Sequence, residues 1–269
     1  MTKAGRVRVG IGGWTFEPWD ETFYPNDLPK KRQLEYASRQ LATIEINGTF
    51  YRSQTPATFA KWASETPDDF VFSVKAPRYA TTRKVLGEAG ESIERFAGSG
   101  VAELGDKLGP ILWQFAPTKA FDPDDFAAFL ALLPAKLGSH ALRHAVEVRH
   151  PSFKDPAFVA LVRKHGVAIV CAEHESYPQI ADATADFIYL RLQAGTDENE
   201  TCYAPADLDR WANRLIDFAK GSVPGDLDRS APDASPVRAS RDVFCYLIHG
   251  GKSRAPAGAK ALAERLTKG

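Results

Sequence analysis

No run of about 18 apolar residues occurs in the chain, so no segment reads as a membrane-spanning helix. The first residues, Met1 to Gly5 followed by Arg6-Val7-Arg8-Val9, also lack the apolar stretch of a signal peptide. A cytoplasmic protein with no membrane partner is expected. An excess of one charge is missing too, since 34 basic residues face 34 acidic ones among 269. That balance argues against the broad basic footprint of nucleic-acid binding and leaves room only for a local basic site. Cysteine is scarce, at three. Cys171 and Cys245 lie in apolar strand-like runs and Cys202 is remote from both, so buried reduced thiols are expected rather than a zinc site.

What is present is ample core material, with 44% hydrophobic and 11% aromatic residues, enough for one large domain or two small ones. Eight β-rich runs stand out: Val7 to Ile11, Thr43 to Asn47, Phe70 to Lys75, Ile111 to Phe115, Ala145 to Arg149, Val167 to Ala172, Phe187 to Leu192 and Val243 to Ile248. Helical patterns fill the gaps at Lys30 to Gln40, Pro56 to Glu65, Glu91 to Lys107, Pro123 to Lys136, Pro156 to Lys164, Pro205 to Lys220 and Pro256 to Thr267. Several open on proline, whose missing N–H costs nothing in a first turn. Only Glu173 to Asp186, interrupted by Pro178, is too short for a full helix.

Strand-helix alternation implies parallel strands, and eight units predict an α/β protein with a single closed (β/α)8 barrel over residues 1–269. A doubly wound open sheet is the alternative. Gly10-Ile11-Gly12-Gly13 follows the first strand, but Thr15 stands where a dinucleotide fingerprint needs its third glycine, so a tight turn is expected. Gly221 to Arg241 has three Pro, four Ser and three Asp without apolar period. It reads as a flexible insertion on the face opposite the barrel mouth, dispensable for chemistry.

Parity locates the chemistry, because alternate side chains of a barrel strand face the axis or the helices. Ile44 and Ile46 oppose Thr43, Glu45 and Asn47; Phe72 and Val74 oppose Ser73 and Lys75. Val146 and Val148 oppose Ala145, Glu147 and Arg149, while Ile188, Leu190 and Leu192 oppose Tyr189, Arg191 and Gln193. Four strands thus place charge at their carboxyl ends, where barrel active sites lie. Gln114, Glu173, His174 and His249 are further candidates at that end.

Three cations against two carboxylates suit a small polar or anionic ligand bearing phosphate or carboxylate, with Arg149 or Arg191 as a two-point clamp. Glu147 or Glu45 would transfer protons and Lys75 would act electrostatically or as a Schiff-base amine. Asn47, Tyr51, Gln114 and Trp14 complete the expected binding set, the aromatic rings offering stacking surfaces. A buried ion network serving only the fold is the competing reading. A glycosidase using Glu45 and Glu147 needs carboxyl separations of about 5 to 5.5 Å or about 6.5 to 9.5 Å. No cofactor is predicted; a divalent metal is a minor alternative, since Glu45, Glu147, Glu173, His174 and His249 lie on separate strand ends. His140, His144, His150 and His165 read as surface or packing residues.

Several motifs carry a family resemblance. They are Gly12-Gly13-Trp14 with Trp19, Phe23-Tyr24-Pro25, Glu45-Ile46-Asn47-Gly48-Thr49-Phe50-Tyr51-Arg52 and Val74-Lys75-Ala76-Pro77-Arg78. Lys107-Leu108-Gly109-Pro110, Gln114-Phe115, Glu147-Val148-Arg149-His150-Pro151-Ser152 and Tyr189-Leu190-Arg191-Leu192 follow. Together they resemble the YecE-like family, domain of unknown function 72, across nearly the whole chain. The resemblance implies a TIM-type barrel with a polar pocket and brings no reaction with it. The chain departs from the family pattern at Glu173-His174 and at Leu247-Ile248-His249-Gly250-Gly251. An acid-base enzyme, whether hydrolase, lyase or isomerase, is the first expectation. A non-catalytic metabolite-binding or interaction barrel and a metal-dependent phosphodiesterase acting on nucleic acid are the alternatives, nucleic acid being disfavoured. Oligomeric state is not legible.

Overall fold

A computed structural model describes residues 5–232 and 239–267. In chain order the strands are β1 Val7–Gly12, β2 Thr43–Ile46, β3 Val71–Lys75, β4 Leu108–Gln114, β5 Lys136–Leu137 and β6 His140–Ala141. They continue with β7 His144–Glu147, β8 Ala168–Glu173, β9 Phe187–Leu192 and β10 Asp242–Leu247. Eight of them close a barrel in the order β1-β10-β9-β8-β7-β4-β3-β2, every neighbouring pair parallel. The expected (β/α)8 architecture is therefore present. Parity holds on all four charged strands: Ile44, Phe72, Val74, Val146, Ile188 and Leu190 pack in the core between barrel and helices. Leu112, Ala145, Val170, Tyr189, Phe244 and Tyr246 form a separate cluster within the barrel.

The helices begin where the sequence offers both a cap and a proline. Thr55, Asp122 and Asp155 accept backbone N–H bonds at the starts of Pro56–Ser64, Pro123–Ala131 and Pro156–Lys164, satisfying donors that the first turn leaves open. Two predicted helices are shorter than their patterns. Glu91 to Lys107 divides into Gly90–Ala97 and a 3-10 segment, Val101–Lys107, because Gly100 at φ +95° turns the chain between them. Pro123 to Lys136 stops at Ala131, and beyond Pro134 the chain forms the small β5-β6 hairpin.

No helix lies between β8 and β9, and the predicted insertion occupies that flank. Lys154, just past the mouth end of β7, pairs with Asp228 at 2.9 Å, and Arg214 of the helix Pro205–Ala219 pairs with Asp226 at 2.8 Å. Wholly buried Asp182 accepts from Ser230 N–H at 2.6 Å and Ala231 N–H at 3.3 Å. Leu227 and Ala231 are buried with Ile169 and Cys171 of β8 in one apolar cluster. The described part of the segment thus climbs the barrel wall instead of staying on the face opposite the mouth. Residues 233–238 of the predicted insertion lie outside the described residues. The three cysteines are free and buried, and burial pushes the Cys171 and Cys202 thiols up to about 12. Among the described residues no helix is long and apolar enough to cross a membrane.

Candidate functional site at the barrel mouth

The strand-end charges meet. Arg191 stands between the two carboxylates, its Nε and Nη2 donating to Glu45 at 3.2 and 3.0 Å and its Nη1 to Glu147 at 2.5 Å. Arg149 grips Glu147 Oε1 from Nε and Nη2 at 3.0 and 2.8 Å, and Gln114 Nε2 reaches Glu147 Oε2 at 2.7 Å. Tyr189 donates to Glu45 Oε2 at 2.7 Å while its oxygen lies 2.8 Å from Ser73 Oγ. One layer deeper, Tyr246 and Thr43 share a hydrogen bond of 2.9 Å. The carboxylate charge is thus met by fork-shaped donors in a water-poor interior, where such bonds are strong.

This arrangement weighs against the proton-transfer roles expected of the two acids. Both side chains are 0% exposed and neither lines the cavity above them. Burial alone would raise the Glu147 carboxyl, but Arg191 and Arg149 outweigh it and hold the group down at about 2. An acid so strongly ionised is a poor proton donor or acceptor near neutrality. The same burial removes the glycosidase pair, whatever the carboxyl separation, because that chemistry needs both groups facing the sugar. Arg191 is raised despite its burial, through Glu147 and Glu45. Its three nitrogens are all engaged, so it is no open two-point clamp. Two arginines and two carboxylates cancel.

Lys75 is the charge left over. Its side chain comes off the mouth end of β3 and is 7% exposed. Nζ stands 4.0 Å over the Phe50 ring, with no hydrogen-bond or ion-pair partner among the described residues. Burial, followed by the field of Arg191, lowers its pKa to about 8.

Above this layer opens a cavity of about 610 Å³. Lys75, Arg149, Arg191, Arg52 and Lys252 line it, with no Asp or Glu among the lining residues. Its walls include Gln114, Gln193, Asn47, Tyr51, Trp14 and Trp62. Trp14 packs edge-on against Trp62 at 5.1 Å, and Lys252 Nζ sits 4.2 Å over Phe16. Tyr51 is 69% exposed at the rim. Asn47 lies past the end of β2, in a helical conformation rather than on the strand, and its amide donates to the Glu45 carbonyl at 3.3 Å. Gly13 N–H reaches the same carbonyl at 2.8 Å. Gly13 holds φ +74°, and a Cβ on Gly12 would meet Asn47 at 2.9 Å. The glycine pair is the tight turn predicted.

Glu173 does not join the site. It turns outward, accepting from Trp211 Nε1 at 3.0 Å and from the Tyr203 hydroxyl. His174 stacks on Tyr177 at 3.8 Å, whose ring also lies 4.4 Å beneath the Arg149 guanidinium, while His249 lines the cavity. His144 is a packing residue, with Trp113 Nε1 donating to its Nδ1 at 3.1 Å and Nε2 2.8 Å from the Pro134 carbonyl. Among the described residues no three His, Cys, Asp or Glu side chains cluster so as to hold a metal ion. Sequence reasoning missed Gln193, Arg52, Gln54, Trp62 and Lys252 as lining residues. Gln193 had a signal, since it continues the inward parity of Tyr189 and Arg191. Lys252 had none, because its loop has no periodicity.

A profile for the protein family of unknown function DUF72 matches residues 8–269. The chain belongs to the DUF72 family. It is also 28% identical over 206 residues to the UPF0759 protein YunF of Bacillus subtilis (strain 168), covering 72% of this chain and 68% of that protein. Among solved structures, a DUF72 protein of Thermotoga maritima MSB8 superposes with a TM-score of 0.71 at 21% identity, over 98% of both chains. A DUF72 protein of Enterococcus faecalis V583 gives 0.68 at 15% identity, over 97% of this chain and 95% of that one. At such identities the likeness establishes the barrel and nothing more. No activity accompanies the DUF72 name, so function rests on the cavity itself.

Proposed function

We propose that the barrel mouth binds a small organic anion, carboxylate or phosphate, and that Lys75 is the group that acts on it. The observation carrying this reading is a concave site lined by five cationic side chains and no acid, in a chain with no net charge. Because Glu45, Glu147, Arg149 and Arg191 neutralise one another, the positive potential centres on Lys75 and extends to Arg52 and Lys252 at the rim. Exposed edges of Arg149 and donors such as Gln193 would orient the anionic group. Trp14, Trp62 and Tyr51 would pack on the remainder of the molecule. Acid-base work passes from the two carboxylates to Lys75, whose pKa of about 8 suits proton transfer near neutrality.

Thermal-shift screening of the full chain against phosphate monoesters, 2-oxo acids and their uncharged analogues, followed by calorimetric titration, tests the reading. Anions should stabilise the protein and bind at least about tenfold more weakly to Lys75→Met, with affinity falling as salt rises. Equal stabilisation by uncharged analogues would overturn it. Stabilisation without turnover would assign the site to binding rather than catalysis.

A further inference from the structure

We propose that Lys75 Nζ forms an imine with the carbonyl carbon of a small oxo acid or aldehyde-bearing anion, with Gln193 Nε2 donating to that ligand. The proposal rests on the anion-binding reading and deepens it by naming the reacting group and the substrate class. Two independent observations carry it. First, every other charged side chain of the inner layer is paired, yet the amine has no partner among the described residues, although it lies within the electrostatic reach of Glu45 and Glu147. A lysine kept only for the fold would take one of those carboxylates, since an unpaired buried charge is costly. The arginines have drawn both acids away, leaving the amine over an aromatic face and open to the cavity.

Second, Gln193 is 93% buried by its 7% exposure, lines the same cavity, and its Nε2 has no hydrogen-bond partner among the described residues. Buried donors without partners are rare in native proteins, and one carried by a cavity-lining side chain would find its acceptor oxygen on a ligand once the amide turns toward it. A carbonyl compound that also carries a carboxylate or phosphate supplies that oxygen together with the negative charge the cations demand. A simple inorganic anion would satisfy the charge but leave a nucleophilic amine without a reaction.

The chemistry balances without an oxidant. The neutral amine's lone pair attacks the carbonyl carbon, forming a C–N bond as the C=O π pair moves to oxygen, which takes up the proton that the newly cationic nitrogen gives up. The resulting carbinolamine accepts a second proton on that oxygen and expels it as water while the nitrogen lone pair forms C=N. Counted from the ammonium, the products are a protonated imine and one water. The positive charge stays where Lys75 held it, so the paired quartet beneath meets an unchanged field. With a pKa of about 8, about one amine in ten is already neutral at pH 7.

The test is reductive trapping of the full chain with glyoxylate or pyruvate and cyanoborohydride, read by intact mass and peptide mapping. The expected result is one adduct, of mass equal to the acid less water plus two hydrogens, on Lys75. It should form at least about tenfold faster than on any other lysine, slow severalfold in Gln193→Leu, and compete with inorganic phosphate. Mapping the parent protein locates the adduct without relying on any Lys75 variant. Adduct spread evenly over surface lysines would overturn the proposal. So would absence of adduct from a protein whose melting temperature the same oxo acid raises, and in that case the anion-binding reading would stand. No melting shift from any anion would refute both.

Discussion

Replacing Lys75 by Met should make the protein more stable at neutral pH, which is the opposite of what removing a buried fold-serving charge would do. Lys75 is 7% exposed, and burial together with Arg191 moves its pKa from 10.5 to about 8. At about 1.4 kcal/mol per pH unit, the folded protein disfavours the ammonium by about 3 kcal/mol relative to the unfolded chain. Loss of the cation–π contact with Phe50 returns about 1 kcal/mol of that, and Met retains contact with the ring through its sulfur. A net gain of about 2 kcal/mol is expected below about pH 8. Between about pH 8 and pH 10.5 the unfolded chain still binds the proton that the folded chain has released. Parent stability therefore rises through that window, relative to the variant, and the gap closes. Urea denaturation of both proteins at about pH 7 and about pH 9.5 checks this, with the buried tyrosines titrating in both and cancelling from the difference. A variant less stable than the parent at pH 7, or a gap that ignores pH, would refute the reasoning.

Glu147→Gln should show the reverse pH dependence. The Glu147 pKa of about 2 lies below the ordinary 4.5, so its stabilisation is complete above pH 4.5 and is lost as pH falls toward 2. The variant should be about 3 kcal/mol less stable at pH 7 and equal to the parent near pH 2, read from denaturant midpoints across that range. Glu173→Ala should cost about 1 to 3 kcal/mol by leaving Trp211 and Tyr203 without their acceptor, while anion affinity at the mouth stays unchanged; a large loss of affinity would place Glu173 in the site after all. Asp182→Ala, which removes the acceptor of one buried and one partly buried backbone donor and the Arg229 contact, should cost about 2 to 4 kcal/mol and speed proteolysis within residues 222–232. Unchanged proteolysis would show that the segment is held by its apolar contacts alone.

The barrel was legible because every one of its strands obeys period two or a short apolar run, and because proline and capping residues mark the helix starts. Glu45, Lys75, Glu147 and Arg191 were legible for the same reason, since parity alone sends them to the axis. What parity could not say is which charges would satisfy each other. That depends on neighbours across the barrel: Arg191 of β9 reaches Glu45 of β2 and Glu147 of β7, contacts far apart in sequence. Loop residues were less legible still. Asn47 was placed on its strand although the chain turns helical there, and Lys252 enters the cavity from a loop with no pattern. Composition alone did not say where the segment after the helix Pro205–Ala219 would lie, because Pro and Ser suit a packed strap as well as a free excursion. Its hydrogen bonds to Asp182 and ion pairs to Lys154 and Arg214 involve isolated residues that leave no periodic trace.

The quartet and the amine make most sense as one arrangement. Apolar side chains of similar volume would fill the mouth at no loss of stability, since buried ion networks are seldom better than well-packed hydrophobic ones. Glu45, Glu147, Arg149 and Arg191 therefore need a reason beyond the fold, and their effect on Lys75 supplies one. Arg191 and Arg149 lower the amine's pKa while Glu45 and Glu147 raise it. With only the arginines present, the amine would be driven further toward neutrality and would attract anions weakly. With only the acids, it would be locked into an ion pair and lose its reactivity. Holding both pairs against each other leaves an amine that is mostly charged at neutral pH yet neutral in a minor fraction, which is the state the proposed anion-binding and imine-forming roles require.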